Sequence, residues 1–248
     1  MANRLLFAGD VFVDILTPAG DSTGKLGPVN CTQLELVHPE PELIEAKSTK
    51  RLTFGQLEDA VSLPNPVEVS MAFDEMPTEI LQLAMQGTSS VQSQPSASAE
   101  AYAVTAKTGK WVDLGKRQLS NVTVTDPAGA VEGTDYQVDY AAGLLLAIEG
   151  GAITDGDSVD GTLDAPAITS DRISGATVSQ ISVAIMMHGT NQVDGKTGLL
   201  QIDQAIVSPT EPVDFFSGEF VAVTLSGKLK TLANKTSPYT FDIDRPAV

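Results

Sequence analysis

Val67-Glu68-Val69-Ser70-Met71-Ala72-Phe73-Asp74 carries an apolar side chain at every odd position and a polar or small one at every even position. Successive side chains of an extended chain point to opposite faces, so this period predicts a strand with one face buried and the other in water. The same alternation runs through Asp10-Val11-Phe12-Val13-Asp14-Ile15, Gln33-Leu34-Glu35-Leu36 and Gln201-Ile202-Asp203-Gln204-Ala205-Ile206-Val207. Residues 177–187 and 219–229 are rich in Val, Ile, Thr and Phe, which suit a pleated, half-buried surface. These predicted strands frame the chain from both ends and set the expected class as all-β.

One helix stands out, over Met76-Pro77-Thr78-Glu79-Ile80-Leu81-Gln82-Leu83-Ala84-Met85-Gln86-Gly87. It has an acidic entry at Asp74 and Glu75, an early Pro, apolar residues three and four apart and a closing Gly. Residues 88–100 (TSSVQSQPSASAE) offer little to bury and read as a linker. Short strands follow at Lys110-Trp111-Val112-Asp113-Leu114, Asn121-Val122-Thr123-Val124, Tyr136-Gln137-Val138-Asp139-Tyr140 and Leu144-Leu145-Leu146-Ala147-Ile148, separated by Gly and Asp punctuation. The expected organisation is a first half-domain over 1–90, a linker and inserted β subdomain over 91–175 centred on Trp111, and a second half-domain over 176–248. Residues 38–63 read as a long irregular loop of mixed charge, and a loop of that length in a compact protein is usually functional or held by a partner.

Composition narrows the chemistry. The 248 residues are 42% hydrophobic, enough for folding to bury roughly 70% of the extended surface. Lys and Arg number 15 against 32 Asp and Glu, a net charge of −17, which leaves too few cations for a phosphate-gripping surface. One cysteine (Cys31) and two histidines (His38, His188) build neither a disulfide framework nor a four-ligand Cys/His zinc site. Asp10 and Asp14 interrupt the apolar N-terminal stretch, so no export signal is expected, and the longest apolar runs fall short of a membrane span.

Motifs for catalysis are weak. Asp194-Gly195-Lys196-Thr197 resembles a phosphate loop, but Gly189 stands at the wrong spacing and a hairpin turn is expected. Asp155-Gly156-Asp157-Ser158-Val159-Asp160-Gly161 lacks the EF-hand ligand order and reads as a solvated turn. No Gly-x-Ser-x-Gly elbow occurs, and neither histidine has the setting of a catalytic base. Acid pairs remain open by counting alone, while 5% aromatics leave few stacking platforms for sugars. The chain is not expected to be an enzyme or to need a cofactor or metal.

The order of these features resembles the major tail proteins of siphophages, the subunits of the tail tube. The likeness rests on Gly9-Asp10-Val11-Phe12-Val13-Asp14, a turn at Gly24 to Pro28, the Gln33 to Leu36 strand leading into Pro39-Glu40, and Phe54-Gly55-Gln56 through Asp59-Ala60-Val61. It continues through Pro64 and Pro66, Asp74-Glu75 and the helix closed by Gly87. His188-Gly189-Thr190-Asn191, the turn at Gly195, the strand from Leu199 to Val207, Phe215-Phe216, Glu219-Phe220 and Leu225-Ser226-Gly227 carry it through the last third. It covers about residues 1–90 and 175–248, and the middle region resembles inserts carried by some of these proteins.

The resemblance implies a tail-tube-type β-sandwich whose hairpins join those of neighbours into an inter-subunit β-barrel in a hexameric ring. Rings stack into a tube of a non-contractile tail, and genomic DNA transits the lumen without specific binding. Implied partners are further copies of the chain, a tape measure protein, a tail terminator and tail tip proteins. The implied location is the virion tail, with assembly in the host cytoplasm. Asp10, Asp14, Glu35 and Asp203, with Glu68 and Asp74, are the acids expected to face the lumen, where they would repel phosphates. Glu45, Lys47, Lys50, Arg51, Phe54 and Leu57 are expected to contact the next ring. The inserted subdomain is expected to project outward. An acidic β-sandwich binding module of adhesin or carbohydrate-recognition type is the alternative, a carboxylate hydrolase the third reading, and a contractile-tail inner tube a near relative.

Overall fold

The computed structural model describes residues 4–216, 218 and 220–244; Glu219, at which one predicted strand begins, lies outside them. The chain starts with β1 (Phe7–Leu16), β2 (Ser22–Val29), β3 (Cys31–Val37), β4 (Glu42–Lys47), β5 (Leu57–Leu63) and β6 (Glu68–Phe73), then the helix α1 (Thr78–Ala84). The middle supplies β7 (Thr88–Gln94), β8 (Ala97–Thr105), β9 (Trp111–Asp113), β10 (Asn121–Asp126), β11 (Tyr136–Asp139), β12 (Leu144–Ala147), β13 (Ser158–Ala165) and β14 (Ile168–Ser174). The last part holds β15 (Ile181–Asn191), β16 (Thr197–Pro209), β17 (Val223–Leu229) and β18 (Tyr239–Ile243). The fold is all-β with one short helix.

Two compact units divide the chain: one built from the residues up to Ser89 together with those from Ile173 onward, the other from Ser90 to Arg172. The first unit is an eight-stranded antiparallel sheet in the order β2-β1-β15-β16-β17-β6-β3, with β18 pairing β16. Its core follows the alternation read from sequence: Val69, Met71 and Phe73 of β6 are buried with Leu225 of β17, Ala205 of β16, Val183 of β15 and Val13 of β1. Helix α1 turns Ile80, Leu83 and Ala84 into this same core. Seven residues are too few for a helix to persist alone in water, so packing on β16 and β17 holds it.

The helix ends differently from its sequence signal. Gln86, at φ +48°, is the left-handed residue; its N–H donates to the Leu83 carbonyl at 3.1 Å and that of Gly87 to the Gln82 carbonyl at 3.0 Å. Gly87 serves another purpose: a Cβ there would stand 2.5 Å from the Ser174 carbonyl oxygen.

The second unit is a sandwich of two three-stranded sheets, β10-β13-β8 and β11-β12-β9. Tyr102, Val122, Val159 and Leu163 from the first meet Tyr136, Val138, Leu145 and Ala147 from the second. Trp111, expected at its centre, is 44% exposed instead. It lies opposite Leu146 on the edge strand β9, whereas Val112 shares the face of buried Leu145.

Three more readings change. Residues 88–100 are not a linker: β7 pairs with β14, and β8 pairs with β13 from Thr105 back to Ala97. The turn expected at Gly24 to Pro28 lies within strand β2, paired to β1. Residues 38–63 are not an irregular loop, because β4 and β5 pair as a hairpin from Glu42↔Leu63 to Lys47↔Leu57. Asp194-Gly195-Lys196-Thr197 closes the β15–β16 hairpin as expected. Buried Asn191 fixes that turn, accepting from Leu6 N at 2.9 Å and donating to the Asp194 carboxylate at 2.7 Å.

Candidate functional site

Helix α1 and the core lie on one face of the eight-stranded sheet, and the opposite, more open face carries the polar positions of its strands. The register assigns the expected acids to that open face. Asp10 lies across from His188, His188 from Leu199 and Leu199 from Asp242, all facing away from the buried neighbours Val11 and Leu200. Glu35 pairs with Ser70 and Ser70 with Ser226, while Glu68 pairs with Lys228. Asp203, two residues on from Gln201, keeps the same side by alternation, in a shallow hollow with Phe12, Met186 and Gln201. Asp10, Glu35, Glu68 and Asp203 therefore share one face. Asp242 joins them; alternation in Tyr239-Thr240-Phe241-Asp242-Ile243 was the signal that would have found it.

Two of these acids have cationic partners. Lys235 Nζ donates to Asp203 at 2.6 Å, and Lys228 Nζ stands 3.9 Å from Glu68. Asp14 does not belong to the solvated set. It has the right parity but is 4% exposed, because β2 returns over it: Ser22 Oγ and the backbone N–H groups of Thr23 and Gly24 donate to its carboxylate. Asp14 thus pins the edge strand. Asp74, just beyond β6, is exposed and accepts from Asn30 Nδ2 at 2.6 Å.

The β4–β5 hairpin is an arm. Every residue of both strands is exposed, and the two strands pair with each other. Leu43, Ile44, Val61 and Leu63 are all uncovered, and an isolated two-stranded hairpin is marginal in water. Its tip is nevertheless built. Ser48 N donates to Gln56 O at 2.7 Å, Gly55 N to Ser48 O at 2.8 Å, and the hydroxyls of buried Ser48 and Thr53 meet at 2.7 Å. Lys50 pairs with Glu58 at 2.9 Å, and this ammonium together with Ser48 holds the Glu58 carboxyl below its ordinary range. Lys47 stands 3.4 Å from Glu45. Leu52, 95% exposed, and Phe54, 76% exposed, project from the tip; sequence reading singled out Phe54 and missed Leu52.

At one end of the first unit's core lies an open cleft of about 790 Å³. Phe7, Val11, Met187, Leu200 and Phe241 line one side, and Cys31, Leu34 and Leu36 of β3 line the other. His38, beyond β3, contacts Tyr239 of β18 at 3.0 Å, and Phe7 meets Phe241 edge-on at 5.8 Å. Burial pushes the Cys31 thiol up, against the opposing effect of its backbone hydrogen bonds with Gln33 and Ala72. Among the described residues, strands β2 and β3 end the sheet with one edge each unpaired.

Among the described residues no three His, Cys, Asp or Glu side chains converge in a way that could hold a metal ion, and no buried side-chain nitrogen or oxygen lacks a partner. The arrangement offers edges, an arm, a cleft and an acidic face. The chain belongs to the family described as Protein of unknown function UCP028589, whose model matches residues 5–239. Comparison with curated proteins returned no match.

Proposed function

We propose that the chain is a structural, self-assembling subunit of tail-tube type, forming hexameric rings that stack into a channel for DNA. The observation that carries this reading is the sheet of the first unit: one face is buried, the other is open and acidic, and both edges lack a partner. Unpaired edges are an aggregation hazard in a monomer. Pairing β2 of one copy with β3 of the next satisfies both edges and closes a ring, which removes the hazard. The resulting continuous sheet has one face enclosed, and an acidic lumen of copies at −17 each repels phosphates instead of gripping them. Sequence-blind passage follows.

Stacking requires a second, different contact, and the exposed β4–β5 arm supplies it. The test is electron microscopy of the purified chain over a range of concentrations, with mass by light scattering. Rings or hollow tubes are expected; a strict monomer at all concentrations, including in the presence of preformed tail tips, would overturn the reading. Deletion of residues 47–57 is expected to leave a folded chain that forms no tubes.

A second reading, as a binding module, is favoured by the self-contained sandwich of the second unit and its polar cleft of about 800 Å³, lined among others by Glu100, Lys116 and Arg117. A monomer that retains a glycan on an array would promote it.

A further inference from the structure

We propose that the arm tip of one copy seats in the apolar cleft between β1, β3 and β18 of a second copy, Leu52 and Phe54 entering it and Lys47, Lys50 and Arg51 meeting an acidic rim. This inference rests on the self-assembly reading and names the receptor for the arm.

The two surfaces match in chemistry. The tip is a preformed knob, its backbone tied by the Ser48–Gln56 and Gly55–Ser48 hydrogen bonds, so little order is lost when it docks. The cleft is walled by Phe7, Leu200 and Phe241 against Cys31, Leu34 and Leu36, and none of its lining residues belongs to the arm. The arm of the same copy therefore does not fill it. With strands of six and seven residues, the arm is roughly 20 Å long, enough to span the gap to a neighbour.

Charge selects a second copy as the occupant. Molecules at −17 repel one another, so self-association requires a local patch of the opposite sign. Lys47, Lys50 and Arg51 place three of the chain's 15 cations within five positions at the knob; Lys47 and Lys50 also meet Glu45 and Glu58 of the same arm, so Arg51 leads the contact with the rim. At the cleft, Asn30 is a lining residue, and its backbone N–H donates to Glu75 at 3.0 Å while its side chain donates to Asp74 at 2.6 Å. Two exposed carboxylates thus stand at the rim. Knob and hole occupy different parts of one chain, which makes the contact heterologous and able to propagate.

Cys31, the single cysteine, lines the cleft and makes the test direct. Leu52→Cys, at a 95% exposed position, is expected to give a ladder of disulfide-linked multimers on mild oxidation at a pH of about 8.5. The ladder is expected to disappear in Leu52→Cys/Cys31→Ser and to be absent for Val131→Cys, a 56% exposed position in the second unit. Independently, Lys50→Glu/Arg51→Glu and Asp74→Lys/Glu75→Lys are each expected to lose assembly, and the four-fold variant to regain it. Tubes of Leu52→Cys that give no ladder, a ladder that survives Cys31→Ser, or tubes unaffected by either charge reversal would overturn the docking while leaving self-assembly standing. A wild-type chain that never assembles would overturn both.

Discussion

Tyr102 reaches across Gly161: its hydroxyl donates to the Thr123 carbonyl at 3.1 Å, and a Cβ at position 161 would lie 2.7 Å from that hydroxyl and 1.8 Å from the carbonyl oxygen. The central strand β13 is bare at Gly161 so that β8 and β10 can be bridged over it. Burial above all, with Tyr136 and Asp160 adding to it, pushes the Tyr102 phenol up to about 12, so it remains a donor at any physiological pH.

Gly161→Ala is therefore expected to destabilise the second unit by about 1–3 kcal/mol, since backbone has to move, and Tyr102→Phe by about 1 kcal/mol for the lost hydrogen bond. Urea unfolding followed by Trp111 fluorescence reads both. Wild-type stability for Gly161→Ala would show that the close approach does not exist.

Adjacent substitutions at the end of α1 are expected to have opposite signs. Gln86 occupies a left-handed conformation at φ +48°, so Gln86→Gly removes steric strain and should raise stability by about 0.5–1 kcal/mol after the entropy of glycine is counted. Gly87→Ala drives a Cβ into the Ser174 carbonyl at 2.5 Å and should lower it by about 1–3 kcal/mol. Thermal unfolding of the two variants separates them; equal shifts would contradict the geometry.

Asp135 ties two loops of the second unit, accepting from Val131 N at 2.8 Å and Ala152 N at 2.7 Å. Those hydrogen bonds, Val131 first, hold its carboxyl below the ordinary 3.8. A carboxylate with a depressed folded pKa contributes stability in full above the unfolded value and loses it as pH falls through the folded one. The tie is expected to hold at neutral pH and to release only in acid below that value. The Val131 and Ala152 amide resonances should then titrate together with a midpoint under 3.8, and Asp135→Asn should abolish the inflection. A midpoint at or above that value would remove the assigned hydrogen bonds.

What sequence shows clearly is burial on one side. β6 and β16 were legible because half their residues face a core, whereas β4 and β5 are exposed on both faces and imprint no period. β8 was hidden for a related reason: Ala97-Ser98-Ala99-Glu100 carries no large apolar residue, and pairing with β13 alone makes it a strand. Asp14 obeyed the parity rule and still became buried, since β2 supplies donors from eight to ten residues away. The acidic face was readable strand by strand. Its assembly into one surface depended on the order β1-β15-β16-β17-β6-β3, which local alternation does not encode.

That shared face permits a direct test of repulsion as its role. Asp10, Glu35 and Asp242 are exposed, and replacing exposed side chains usually changes stability by no more than about 0.5 kcal/mol, so Asp10→Lys/Glu35→Lys/Asp242→Lys is expected to fold normally. On the tail-tube reading proposed above, assembled wild-type chains should leave duplex DNA unretarded in a gel, because Lys228 and Lys235 on this face are already engaged by Glu68 and Asp203. The triple variant should retain DNA, with a log affinity that falls against log salt by about 0.9 for each phosphate neutralised. Both halves matter: retention by the variant alone places these three side chains where DNA passes, whereas equal retention by the wild type would mean that the acidic face is not what the DNA meets.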